Sequence, residues 1–141
     1  MRSSSNQVER KDLNRAVSGG IFPTCRIVRM ALDTGATYVM VPLHVLEALG
    51  YAPGKARKKL SITTASGTKT APLVTLDRLK ALGKSVAGVP AIGHDLPRQS
   101  PVDGLLGLSF LKWFDVDLHF RRQRLSLRGP ARSRGIVTGK C

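Results

Sequence analysis

From Cys25 to Leu127 the sequence falls into short apolar or β-branched runs separated by glycine, proline and polar turn residues, a pattern that commits the chain to a mostly-β fold. Cys25–Leu32 reads as one strand and Thr37–Val41 as a second. Leu60–Ala65 and Lys69–Leu76 flank Ser66-Gly67-Thr68, which predicts a hairpin. Thr75–Leu82 suits either a short helix or a strand turning at Gly83-Lys84 into Ser85–Ile92, and the strand fits its neighbours better. Val116–Phe120 alternates cleanly, and a turn at Arg121–Gln123 leads to Arg124–Leu127. Helical signals are short. Leu43, Leu46 and Leu49 fall at three-residue spacing after Pro42, which suits a first helical position, and Gly50 stops the run.

This patterning is confined to residues 21–128, read as one domain. Residues 1–20 are polar, end in Gly19-Gly20 and read as a flexible lead; residues 129–141 mix Gly, Pro, Arg and Ser and read as a basic flexible tail. A chain of 141 residues that is 42% hydrophobic can build a single core, and with only 5% aromatics that core is expected to be aliphatic.

Chemistry concentrates at Asp33-Thr34-Gly35-Ala36-Thr37. An apolar strand ends at Asp33 and small residues follow at once, an arrangement that exposes a carboxylate on a tight turn with little bulk around it. Gly35 permits close backbone approach or a positive φ. The Thr34 hydroxyl can bond a neighbouring backbone group and stiffen the loop. An ordinary Asx turn after a strand fits the same tripeptide equally well.

Two further segments weigh against that plain turn. Leu32-Asp33-Thr34-Gly35-Ala36-Thr37, then Ile62-Thr63-Thr64-Ala65-Ser66-Gly67-Thr68, then Asp103-Gly104-Leu105-Leu106-Gly107-Leu108-Ser109-Phe110-Leu111, in this order and spacing, resemble the retropepsin-like aspartic proteases, in particular the short bacterial relatives of the viral enzymes. The resemblance implies an acid-protease closed β-barrel with one or two short helices, one lobe per chain. It implies that Asp33 is catalytic, with Thr34, Gly35, Ala36, Leu105, Leu106 and Gly107 supporting its loop. It also implies that Ala65, Ser66, Gly67 and Thr68 form a flap over a protein or peptide substrate. In this family two carboxylates share one proton, one activating a water and the other donating to the scissile carbonyl. The chain holds one Asp-Thr-Gly, and Asp95, Asp103, Asp115 and Asp117 lack its flanking pattern, so the resemblance implies a homodimer. The segment from Gly20 to Leu32 departs from the family: it is thirteen residues long and holds Pro23, so the first hairpin is expected to be truncated or closed by a tight turn. A truncated hairpin would suit the alternative of a non-catalytic peptide-binding module.

Other classes find less support. The formal net charge is +14, and half of that excess is the seven Lys/Arg of residues 121–141, which hold no acid. Lys55, Arg57, Lys58 and Lys59 form a second cluster. Contact of the basic tail with nucleic acid would rest on this charge alone, because no aromatics are interleaved to stack bases. His44, His94 and His119 show no metal-ligand spacing, and no metal or cofactor is expected. Ser109 lacks the second glycine of a nucleophile elbow. Two cysteines, Cys25 and Cys141, do not make a disulfide framework, no apolar run approaches a membrane span, and no signal-peptide core is present. A cytoplasmic protein is the resulting expectation.

Overall fold

The computed structural model of the chain describes residues 5–9 and 25–129. Their elements run β1 (Ser5–Glu9), β2 (Cys25–Leu32), β3 (Val39–Val41), α1 (Leu43–Ala48), a 3₁₀ turn at Pro53–Lys55, β4 (Lys59–Thr64), β5 (Gly67–Ala81), β6 (Lys84–Gly93), β7 (Gly104–Leu106), α2 (Leu108–Leu111), β8 (Asp115–His119) and β9 (Arg124–Arg128). The strands hydrogen-bond in the order β1-β2-β7-β3-β6-β5-β4, and β1 also pairs with β5. That last pairing curls the sheet into a ring of β1, β2, β7, β3, β6 and β5, with β4 attached to β5. β8 and β9 form a separate hairpin. The mostly-β barrel with two short helices is therefore as the sequence predicts.

Alternation in the strands explains the closure. In β2, Val28 and Met30 point inward while Arg26, Ile27 and Arg29 are exposed. They meet Val8, Val39, Val41, Leu76, Leu79, Val89 and Phe110 in one core, which is aliphatic except for Phe110. Burial of each such side chain is worth roughly 1.5–3 kcal/mol. α1 seals one side of this core with Leu46 and Leu49, and its end is a Schellman motif: Gly50 (φ 81°) donates to Glu47 O at 2.8 Å and Tyr51 to Leu46 O at 2.9 Å.

Several expectations change. Ser5–Glu9, expected within a flexible lead, pairs with β2 from Ser5↔Arg29 to Glu9↔Cys25. Only Val8 in β1 is a buried apolar residue, so the strand is held by backbone ladders on both edges, which hydropathy does not register. Because β1 supplies the strand that pairs with β2, the first hairpin is not truncated, and the remainder of 1–20 lies outside the described residues. The uncertain Thr75–Leu82 segment belongs to β5, which turns through Leu82 (φ 53°) and Gly83 (φ 76°) into β6. Positive φ at both positions is the type I′ geometry that matches strand twist. Cys141 lies outside the described residues. The tail from residue 130 also lies outside them.

Candidate active site

Asp33 follows the last residue of β2, and its turn is held from three directions. First, its N–H donates to Leu106 O at 3.1 Å, which continues the parallel β2–β7 register Met30↔Gly104, Ala31↔Leu105, Leu32↔Leu106. Second, the turn closes on itself: Gly35 N–H donates to Asp33 Oδ1 at 2.9 Å and Ala36 N–H to Asp33 O at 3.3 Å. Third, the exit from the turn is tied to α2, with Leu108 N–H donating to Ala36 O at 2.8 Å and Ser109 N–H to Thr37 O at 2.9 Å. One carboxylate oxygen is thus used to shape the turn. The other has no protein partner among the described residues, and Asp33 is half-buried with Thr34 and Gly35 exposed beside it.

Space requires Gly104 and Gly107 and constrains Gly35 less strictly. A Cβ on Gly35 would lie 3.2 Å from Asp33 Oδ1, and Gly35 has no positive φ, so close approach is its reason. A Cβ on Gly107 would overlap Tyr38 O and lie 2.7 Å from Ala36 O, and one on Gly104 would overlap Met40 O. β7 lies between β2 and β3, the strands that enter and leave the turn, with Met40 opposite Leu105. Leu106 and Gly107 are buried beneath it and Leu105 is partly buried. The structure therefore brings Asp33, Thr34, Gly35, Ala36, Leu105, Leu106 and Gly107 together.

Sequence reasoning set Ser109 aside as a nucleophile and did not see its structural part. Its hydroxyl, in a residue only 4% exposed, accepts from Val39 N–H at 2.8 Å and donates to Pro90 O at 2.7 Å. It therefore locks α2 to β3 and β6 just behind the turn. A lone hydroxyl in the apolar run 105–111 was the available signal.

The hairpin of β4 and β5 leans over a second apolar cluster. Leu60, Ile62 and Ala71 pack with Tyr38, Met40, Ile92, Leu96 and Leu105, which form a floor beside the turn. Tyr38, at the end of the Asp33 loop, joins the floor to the site. The hairpin tip is Ala65-Ser66, because Thr64 pairs with Gly67; this shifts the expected Ser66–Thr68 turn by one residue. Gly67 takes φ 116°, and Thr64 Oγ1 donates to its carbonyl at 2.9 Å. Ala65, Ser66, Gly67 and Thr68 are all exposed and lie away from the Asp33 turn's own hydrogen bonds.

The 95–103 loop borders a groove of about 370 Å³ lined by Pro42, His44, Leu96, Arg98 and Val102 among others. Its two acids are structural ties: Asp95 Oδ1 accepts from Leu43 N–H at 2.9 Å and Asp103 Oδ2 from Arg29 N–H at 3.2 Å. Among the described residues no group of His, Cys, Asp and Glu could hold a metal ion, and no helix is long and apolar enough to cross a membrane.

Comparison with known proteins bears on the family and the fold. The sequence model of a family described as aspartyl protease matches residues 19–110. No curated protein matches the sequence. Among solved structures, the fold is similar to that of a retropepsin-like aspartic protease from Rickettsia conorii, with 19% identity, a TM-score of 0.57, and coverage of 90% of this chain and 95% of that one. Simian foamy virus (mac) protease, solved in solution, is 20% identical with a TM-score of 0.46 over 79% of this chain and 93% of its own.

Proposed function

The chain belongs to the aspartyl protease family, and on that premise we propose that it is an aspartic endopeptidase whose active site is assembled from the Asp33 carboxylates of two copies. The observation that carries this reading is the Asp33 turn. Its carboxylate is fixed through Gly35 N–H yet keeps one oxygen without a protein partner among the described residues, and Thr34 and Gly35 lie exposed beside it. A single such turn cannot supply both an acid and a base. The other acids that could be considered are on β8, as Asp115 and Asp117 are, or are bound to backbone, as Asp95 and Asp103 are. A second copy is the simplest source of the missing carboxylate.

With the carboxylates facing each other, like charge prevents both from ionising, so one holds a proton at mildly acid pH. The ionised carboxylate takes a proton from a water. The protonated carboxylate donates to the scissile carbonyl oxygen as the water attacks its carbon. The tetrahedral intermediate then collapses with proton transfer to the leaving amine, and no covalent enzyme intermediate forms. Residues 65–68 would close over an extended peptide lying across the Tyr38 floor. The alternative of a non-catalytic module drew on a truncated first hairpin, and the β1–β2 ladder removes that support.

The test is peptide cleavage by wild type and Asp33→Asn at mildly acid pH, with a pepstatin-type inhibitor. Asp33→Asn is expected to abolish cleavage while dimerisation, read by sedimentation, persists. Specific activity of the wild type is expected to fall on dilution as dimers dissociate. Undiminished cleavage by Asp33→Asn, or concentration-independent activity from a monomer, refutes the reading.

A further inference from the structure

The hairpin over the floor has a charge pattern that its packing does not require. From Ala48 to Leu76 the chain contains no Asp or Glu, while Lys58, Lys59 and Lys69 lie at or on the hairpin. The register fixes their sides. Directly opposed residues of an antiparallel pair share a face, and Ile62 is opposite Lys69, Leu60 opposite Ala71. Leu60, Ile62 and Ala71 pack against the floor that includes Tyr38. Lys69 therefore stands on the inner face of the hairpin, one cross-strand step nearer the tip than buried Ala71. Lys59 belongs to the opposite, exposed set with Ser61 and Thr63.

Lys69 is exposed and has no ion-pair partner among the described residues. Neither acid of the 95–103 loop is paired with Lys69; Asp95 and Asp103 accept from the backbone N–H groups of Leu43 and Arg29. We propose that Lys69 makes the inner face of the flap select peptides that carry an acidic side chain flanking an apolar segment. The apolar segment would rest on Tyr38 and Leu105, the partly buried members of the floor beside the turn, and the carboxylate would meet the Lys69 ammonium. The inference rests on the protease reading for the direction in which the peptide lies. A lysine kept only to keep the hairpin solvated would show no such selection.

Binding separates this inference from the failure of catalysis. Fluorescent peptides with an aliphatic centre, identical except for Glu, Gln or Lys at each flanking position in turn, are titrated into full-length Asp33→Asn protein. At a pH near 6.5 the peptide Glu is ionised. At one or more positions the Glu peptide is expected to bind about two- to fivefold more tightly than the Gln peptide, and the Lys peptide more weakly, the range of a partly solvated ion pair. High salt should erase the difference. Lys69→Arg should keep the order, Lys69→Met should flatten it and Lys69→Glu should reverse it. An order that survives in Lys69→Glu, the absence of any charge dependence, or no peptide binding at all overturns the proposal. If charge-ordered binding appears while wild type cleaves nothing, catalysis fails and the selection by Lys69 stands.

Discussion

Ser109→Ala is the most direct probe of how the site is held. Removal of one oxygen orphans two backbone groups, Val39 N–H and Pro90 O, which the hydroxyl meets at 2.8 and 2.7 Å. Ser109 is 4% exposed and Val39 fully buried, so water has little access. An unsatisfied buried polar group costs about 1–3 kcal/mol, and the variant avoids burying a hydroxyl, so the expected net loss is about 2–4 kcal/mol. Against a typical stability of about 5–15 kcal/mol this is large, and it should lower Tm by on the order of 10 °C. Urea unfolding followed by far-UV circular dichroism gives the free energy, at fixed protomer concentration because dimerisation shifts the apparent value. The urea midpoint should fall with an unchanged m-value. Ser109→Cys, which keeps a weak donor and acceptor, should lie between. A loss below about 0.5 kcal/mol in Ser109→Ala would show that the backbone groups are satisfied without the hydroxyl, and would refute the argument that Ser109 fastens α2 to the sheet.

Gly107→Ala should separate activity from stability. The added methyl meets backbone carbonyls of Tyr38 and Ala36, which cannot swing aside as a side chain would, so the Asp33 loop must shift; a cost of about 1–3 kcal/mol is expected with near-complete loss of peptide cleavage, and wild-type hydrolysis would contradict it. Gln123→Gly should raise stability by about 0.5–1 kcal/mol, because exposed Gln123 is held at φ 50°, a conformation costly to an L side chain. A lower urea midpoint in that variant would refute this.

Much of the site was legible because its residues are unusual in type. Asp33-Thr34-Gly35 after an apolar strand, and Leu105-Leu106-Gly107 before a short helix, are local patterns. The structure places them on neighbouring strands, with Asp33 N–H bound to Leu106 O. Strands such as β2 in the ring and β8 in the separate hairpin were legible as apolar or alternating runs. β1 was not, because its sequence Ser5-Asn6-Gln7-Val8-Glu9 has one apolar residue and its pairing is a backbone property. The hairpin tip was displaced by one residue because Gly67, which looks like the centre of a turn, instead begins β5 with a positive φ. The structural role of Ser109 was hidden for a different reason. Its partners lie 70 and 19 residues away, and no window of sequence contains them.

These long-range ties divide the described residues into a cross-tied base and a hairpin with few ties of its own. The Asp33 turn is bonded to β7 on one side and to α2 on the other, and α2 is in turn bonded to β3 and β6. Displacing Asp33 would therefore disturb three strands of the ring. The hairpin has no such support beyond Ile62: residues 65–70 are all exposed and are joined to the rest only through the β4–β5 ladder. Opening it breaks few apolar contacts, so its free energy lies at the low end of local unfolding. That distribution suits a reaction in which two carboxylates must be held to within a fraction of an ångström while a peptide is admitted and released. Stiffness is placed around Asp33, and the loosely held hairpin tip is where the proposed contact of Lys69 with a peptide would be made.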